Sequence, residues 1–154
     1  MCAQRISQPD RSFDTTTVSY ALGGRKLFGT NLMPMKGKIV AVIDDDPEMR
    51  AAMACLLPAF GYSVNTFDSA ETFLACASTC KAMCLVVDIQ LGDISGVELA
   101  HQLRADGFAY PIIFMTGLDD ELIQSQAAAA GCIAFLRKPF PANVLVDAIK
   151  KAVG

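Results

Sequence analysis

The chain is poor in the side chains that hold transition metals: it has one histidine, His101, and none of its six cysteines forms a C-x-x-C pair. That leaves no donor set of the usual composition for a zinc or iron–sulfur site. No apolar run approaches the roughly 20 residues that cross a bilayer, so no membrane partner is expected. The opening MCAQRISQPDRSFD lacks a continuous apolar stretch followed by a small-residue cleavage site, which argues against secretion. Positive charge is not in excess either. Thirteen lysines and arginines against sixteen acids give a net charge of −3, no electrostatic footprint for nucleic acid or an anionic membrane. The expectation is a cytoplasmic protein whose cysteines are reduced and serve as small hydrophobes. Cys55 and Cys132 lie in apolar sequence, and Cys2 lies in the N-terminal stretch. Cys76, Cys80 and Cys84 recur every four residues, but Cys84 is predicted to begin a strand, so the three need not share a face. His101, between Glu98 and Arg104, reads as a solvated helix residue.

What the chain does have is 53% hydrophobic residues over 154 positions, enough for a sizeable core, and four short apolar runs that each end in polar chemistry. Residues 39–43 lead into Asp44, Asp45 and Asp46; 85–87 into Asp88; 112–115 into Thr116; and 133–136 into Arg137, Lys138 and Pro139. Such runs read as strands buried on both faces, and in open α/β sheets ligands bind beyond the strands' carboxyl ends. The four ends can therefore converge. Clustered carboxylates repel one another unless a cation joins them. Mg²⁺ is the natural occupant because it takes oxygen ligands and is held by one or two carboxylates plus a phosphate. Thr116 can donate a hydroxyl hydrogen bond to a phosphoryl oxygen, and Lys138 can bring a compact positive charge to it. Asp88 is then a candidate nucleophile toward phosphorus, giving an aspartyl phosphate. Asp45 or Asp46 also suits the N-cap of a helix starting at Pro47.

Residues 1–36 are rich in Ser, Thr, Gly and Gln and lack sustained periodicity, so they read as a flexible extension. A start at Met33 or Met35, just before the first strand, is the equal alternative. The remainder, 37–154, alternates strands at 39–43, 62–67, 84–88, 111–115 and 133–136 with helices at 47–60, 69–78, 95–106, 119–130 and 141–152. Five βα units imply an α/β fold with a five-stranded parallel sheet and helices on both faces, and right-handed crossovers favour the doubly wound flavodoxin-like order, which is carried over from known folds of that kind.

The segments IVAVIDDDPEMR (39–50), LVVDIQLGDISGVEL (85–99), PIIFMTG (111–117) and AGCIAFLRKPF (130–140) together resemble the receiver domain of two-component response regulators. GYSVNTFDSAETFL (61–74) adds a likeness to the branch that includes nitrogen-fixation regulators. The resemblance implies a Mg²⁺ site held by Asp44, Asp45, Asp88 and the backbone carbonyl of Gln90, with Asp45 the direct ligand of the acidic pair. It implies Asp88 as phosphoacceptor, Thr116 and Lys138 as its partners, and Thr116 with Phe135 as the switch pair. It also implies a cis Lys138–Pro139 bond. Two positions depart from the family pattern: Gly92 follows Leu91 where proline is usual, removing a φ constraint, and Phe135 lacks a phenolic hydroxyl.

As partners the resemblance implies a sensor histidine kinase or phosphotransfer protein as donor, and a downstream protein or a second copy binding at about 119–152. Since the chain ends at Gly154, output is expected from the receiver surface. It would not be an enzyme beyond promoting its own phosphoryl transfer and dephosphorylation. Two other readings carry weight. A haloacid-dehalogenase-type phosphatase would use the acidic run with Thr116, Lys138, Asp119 and Asp120, but its acidic pair should follow the lysine, and Asp88 would have no task. A degenerate receiver would act only as a binding module.

Overall fold

The computed structural model describes residues 37–154; the stretch 1–36, and with it the expected flexible extension and Cys2, lies outside the described residues. Five parallel strands form one sheet: β1 (Ile39–Ile43), β2 (Ser63–Phe67), β3 (Cys84–Asp88), β4 (Ile112–Thr116) and β5 (Ala134–Arg137), in the order β2-β1-β3-β4-β5. Between and after them come α1 (Pro47–Leu56), α2 (Ala70–Leu74), α3 (Gly96–Ala105), α4 (Glu121–Ala129) and α5 (Ala142–Val153). This is the expected doubly wound order.

Strand alternation splits the core in two. Ala41, Ile43, Leu85, Val87, Ile112 and Phe114 pack with Phe73, Leu99, Leu103 and Ala127 from α2, α3 and α4. The alternate residues Val40, Val42, Cys84, Val86, Ile113 and Met115 pack with Met53 of α1 and Leu145 and Ile149 of α5. Period-two side chains thus feed both helical layers. The three expected cysteines divide accordingly: Cys84 faces α1 and α5, whereas Cys76 and Cys80 pack on the other face.

Helices α1 to α4 each start where a side chain meets the unpaired N–H groups; α5 follows Pro141 without a side-chain cap. Asp46 caps α1 by accepting from Glu48 N, with Pro47 at the first position. Ser95 and Glu98 form a capping box at α3, and Asp120 caps α4 through Leu122 N. These are favourable termini because a cap satisfies otherwise orphaned donors and is stabilising by about 1 kcal/mol.

Several boundaries differ from expectation. The helix expected over 47–60 becomes a 3₁₀ turn at Leu57–Phe60, because Pro58 has no N–H to continue the ladder; Gly61, at φ +87°, ends it. The helix expected at 69–78 is regular only through Leu74, after which Cys76 N and Ala77 N bond to Phe73 O and Leu74 O in tighter i−3 turns. The fourth apolar run is not buried on both faces: β5 is an edge strand, with only Leu136 buried. Nor is Cys55 in an apolar setting, since it lies exposed on α1. His101 is exposed, as expected.

Candidate functional site

The carboxyl ends of β1, β3 and β5 bring Asp44, Asp88 and Lys138 into contact. Lys138 Nζ donates to Asp44 Oδ2 at 2.9 Å and to Asp88 Oδ2 at 3.0 Å. The other oxygens are held by the turns that follow. Asp44 Oδ1 accepts from Asp46 N at 2.9 Å, and Asp88 Oδ1 accepts from Gln90 N at 3.0 Å. Asp44, Asp45 and Asp88 each offer a carboxylate oxygen within 4.8 Å of one another, Asp44 and Asp88 buried and Asp45 exposed. Asp46 is not in that group; its carboxylate is the α1 cap.

Charge and burial pull against each other here. Burial pushes the Asp88 carboxyl above the ordinary carboxylate range, an effect reduced by the Lys138 hydrogen bond, the Gln90 N–H and the Lys138 charge, and reinforced by the charge of Asp44. For Lys138 burial acts downward, but the hydrogen bonds and charges of Asp44 and Asp88 outweigh it and raise the ammonium above its usual value. The lysine stays charged. Three carboxylates against one ammonium leave the cluster two charges negative, and every free donor is a hard oxygen. That is the chemistry of a hard divalent cation such as Mg²⁺, and the residues fit it.

Thr116 ends β4, one position beyond the register partner of Asp88, and is fully buried. Its Oγ1 accepts from Leu118 N at 3.1 Å, while its carbonyl accepts from Lys138 N at 2.7 Å, so the two residues are tied through the backbone. Phe135 is the register partner of Phe114; it is half-buried against the α2–α4 core, whereas Phe114 has 0% exposure. Gln90 is exposed, and its N–H rather than its carbonyl makes the bond described above. The Lys138–Pro139 bond is cis. Gly92 sits at φ +83°, a conformation closed to proline, so the departure from the family pattern is a differently shaped loop rather than merely a freer one.

The sequence assigned no task to two residues that shape this site. Arg50 Nη1 donates to the main-chain carbonyl of Asp44 at 2.8 Å. Gly96 lies so close to β3 that a Cβ there would meet Asp88 O at 2.4 Å, a clash with backbone. Glycine at the first turn of α3 was the available signal for the second; nothing short of the folded turn revealed the first.

A family model described as the response regulator receiver domain matches residues 40–150. The chain belongs to that family. Transcriptional regulatory protein TdiR of Thauera aromatica is 35% identical over 114 residues, covering 74% of this chain and 50% of the relative. Transcriptional regulatory protein FixJ of Bradyrhizobium diazoefficiens is 36% identical over 121 residues, 79% of this chain and 58% of the relative. The crystal structure of FixJ-N superposes on it with a TM-score of 0.72 at 35% identity, covering 77% of this chain and 95% of that one. The receiver spans about half the length of the curated relatives it matches. Among the described residues no helix is long and apolar enough to cross a membrane. The phosphatase alternative loses its acids: Asp119 pairs with Arg137 at 2.9 Å at the surface, and Asp120 caps α4.

Proposed function

We propose that this receiver takes a phosphoryl group onto Asp88 in a Mg²⁺-dependent reaction and passes the event on by protein–protein contact. The observation that carries the reading is Lys138 Nζ spanning Asp44 and Asp88 beside a third carboxylate, Asp45, at the carboxyl ends of three strands. A carboxylate oxygen of Asp88 attacks the phosphorus of a phosphohistidine; the P–N bond breaks and the imidazole leaves with the electron pair, taking a proton from solvent. Water later cleaves the acyl phosphate, restoring the carboxylate and releasing inorganic phosphate. The chain thus promotes only its own phosphorylation and dephosphorylation.

Asp45, Asp44, Asp88 and the Gln90 carbonyl would hold the ion, Asp45 directly. When bound, Mg²⁺ offsets the negative charge of the carboxylates and of the entering phosphoryl oxygens. Lys138 moves from carboxylate to phosphoryl oxygen with little cost, because its position is already shared. Thr116 Oγ1 accepts from Leu118 N–H and keeps its own O–H to donate to the phosphoryl group; where the side chain turns toward that group, the space it leaves admits the Phe135 ring. Without a phenolic hydroxyl, that ring acts by burial alone. The surface at about 119–152 is then the site for a downstream protein or a second copy, with a sensor histidine kinase or phosphotransfer protein as the donor.

Incubation with Mg²⁺ and acetyl phosphate followed by intact-mass measurement tests this. One phosphoryl group should add to the wild type and none to Asp88→Asn. Label persisting in Asp88→Asn overturns the assignment, continuous turnover of the donor supports the phosphatase, and no label on either protein leaves a binding module.

A further inference from the structure

We infer that Arg50 is a positioning residue, holding the β1–α1 turn in the shape in which Asp44 and Asp45 converge with Asp88. This rests on the Mg²⁺ reading of the preceding section and goes beyond it to a residue outside the ligand set. The turn has to do something a strand-to-helix connection resists: it holds two consecutive acids, Asp44 and Asp45, close to a third, Asp88, while Asp46 turns away to cap α1. Repulsion among them favours splaying. Internal bonds oppose that in part, since Asp46 N–H is held by Asp44 Oδ1 at 2.9 Å, and Asp46 caps α1 through Glu48 N at 2.9 Å.

The Asp44 carbonyl is the next group to account for. β1 ends at Ile43, so the carbonyl lies just past the ladder, and the bond it receives is from Arg50 Nη1 at 2.8 Å. Arg50 is itself half-buried and fixed in α1, where its N–H bonds to Asp46 O at 3.1 Å. One side chain therefore closes a loop from the first turn of α1 back to the residue that opens the turn. Among the described residues its guanidinium makes no ion pair with any of the acids beside it. A cation serving only to neutralise would take a carboxylate; this one takes a neutral carbonyl, which is a geometric task.

The two roles make opposite predictions. If Arg50 contributed charge alone, removing it would relieve repulsion toward a dication, and Mg²⁺ would bind as well or more tightly. If it positions the ligands, its removal loosens the turn and Mg²⁺ binds more weakly, by roughly 10-fold, the low end for residues that orient metal ligands. Calorimetric Mg²⁺ titration of the wild type, Arg50→Ala and Arg50→Lys, at a temperature where circular dichroism shows all three folded, separates them. The expected result is a loss of about 10-fold in Arg50→Ala, partly recovered in Arg50→Lys, which retains a donor on a long stem. A metal-free readout accompanies it: amide exchange at Asp46 should quicken in Arg50→Ala while exchange within β3 does not.

Equal or tighter Mg²⁺ binding by Arg50→Ala overturns the inference alone. So does weaker binding with unchanged exchange at Asp46, or weaker binding accompanied by faster exchange throughout the sheet, which would mark general destabilisation. A wild type that binds no Mg²⁺ overturns the functional reading, and this inference with it.

Discussion

The centre of the sheet and its β5 edge are built to different tolerances. On the acid side, β1 and β3 are central strands; β3 is buried at all five positions, and its covering helix α3 buries Gly96, Val97, Leu99, Ala100 and Leu103. On the other side, β5 is an edge strand with one buried residue, and α4 buries Ala127 alone while leaving Leu122 64% exposed. Low burial means a low cost of local rearrangement. The two buried acids lie at the ends of tightly packed strands, whereas Lys138, which joins them, and Phe135 come from the loosely packed edge.

The register pair Phe114 and Phe135 compares centre and edge on a single face. Phe114→Ala should cost about 3–5 kcal/mol, the range for a fully buried aromatic, measured by urea unfolding. Phe135→Ala should cost about half of that or less, because its ring is already part-exposed. It should also leave Asp88 labelling intact. Similar costs at the two positions would erase the distinction between centre and edge.

Cys84 sharpens the same contrast through pH. Burial in β3 pushes its thiol from 9.0 up to about 12, so the unfolded chain ionises first. The sign follows directly: the stabilisation is complete below pH 9 and is lost as pH rises toward 12. By about pH 10.5 roughly 2 kcal/mol should have gone. Cys84→Ala, though less stable at neutral pH, should show a shallower alkaline decline in its urea midpoint. Parallel declines would mean that the β3 thiol is not shielded.

Within the acidic turn the difference is smaller but specific. Asp45→Asn should weaken Mg²⁺ binding by roughly 10-fold or more, the scale of a lost direct ligand. Asp46→Asn should change it little, and since asparagine caps nearly as well as aspartate, stability should hold too. Equal loss of Mg²⁺ in both would misplace the ligand within the run.

The same contrast explains what could be read from the sequence. The buried strands β1, β3 and β4 announce themselves as unbroken apolar runs, and each site residue lies at or just past a strand end, so Asp44, Asp88, Thr116 and Lys138 were legible before any fold was known. The edge was not: 133–136 is as apolar as the central runs, and only the strand order reveals that β5 has no neighbour beyond it. The early stop of α1 was signalled by Pro58, but the apolar Ala59 and Phe60 carried the expected helix on as far as Gly61. Arg50 and Gly96 act through main-chain atoms, which carry no residue identity, and so left little trace in composition or spacing.

If charge arriving at Asp88 is relayed to the loosely packed α4–β5 edge, amide exchange with and without Mg²⁺ and beryllofluoride, a phosphoryl mimic, will register it there. The mimic should alter exchange across the β4–α4 loop, α4 and β5 while leaving the interiors of β1 and β3 unchanged, and Phe135→Ala should bind the mimic yet show a reduced response. A change as large in β1 and β3 as in α4, or an equal response from Phe135→Ala, would contradict the account.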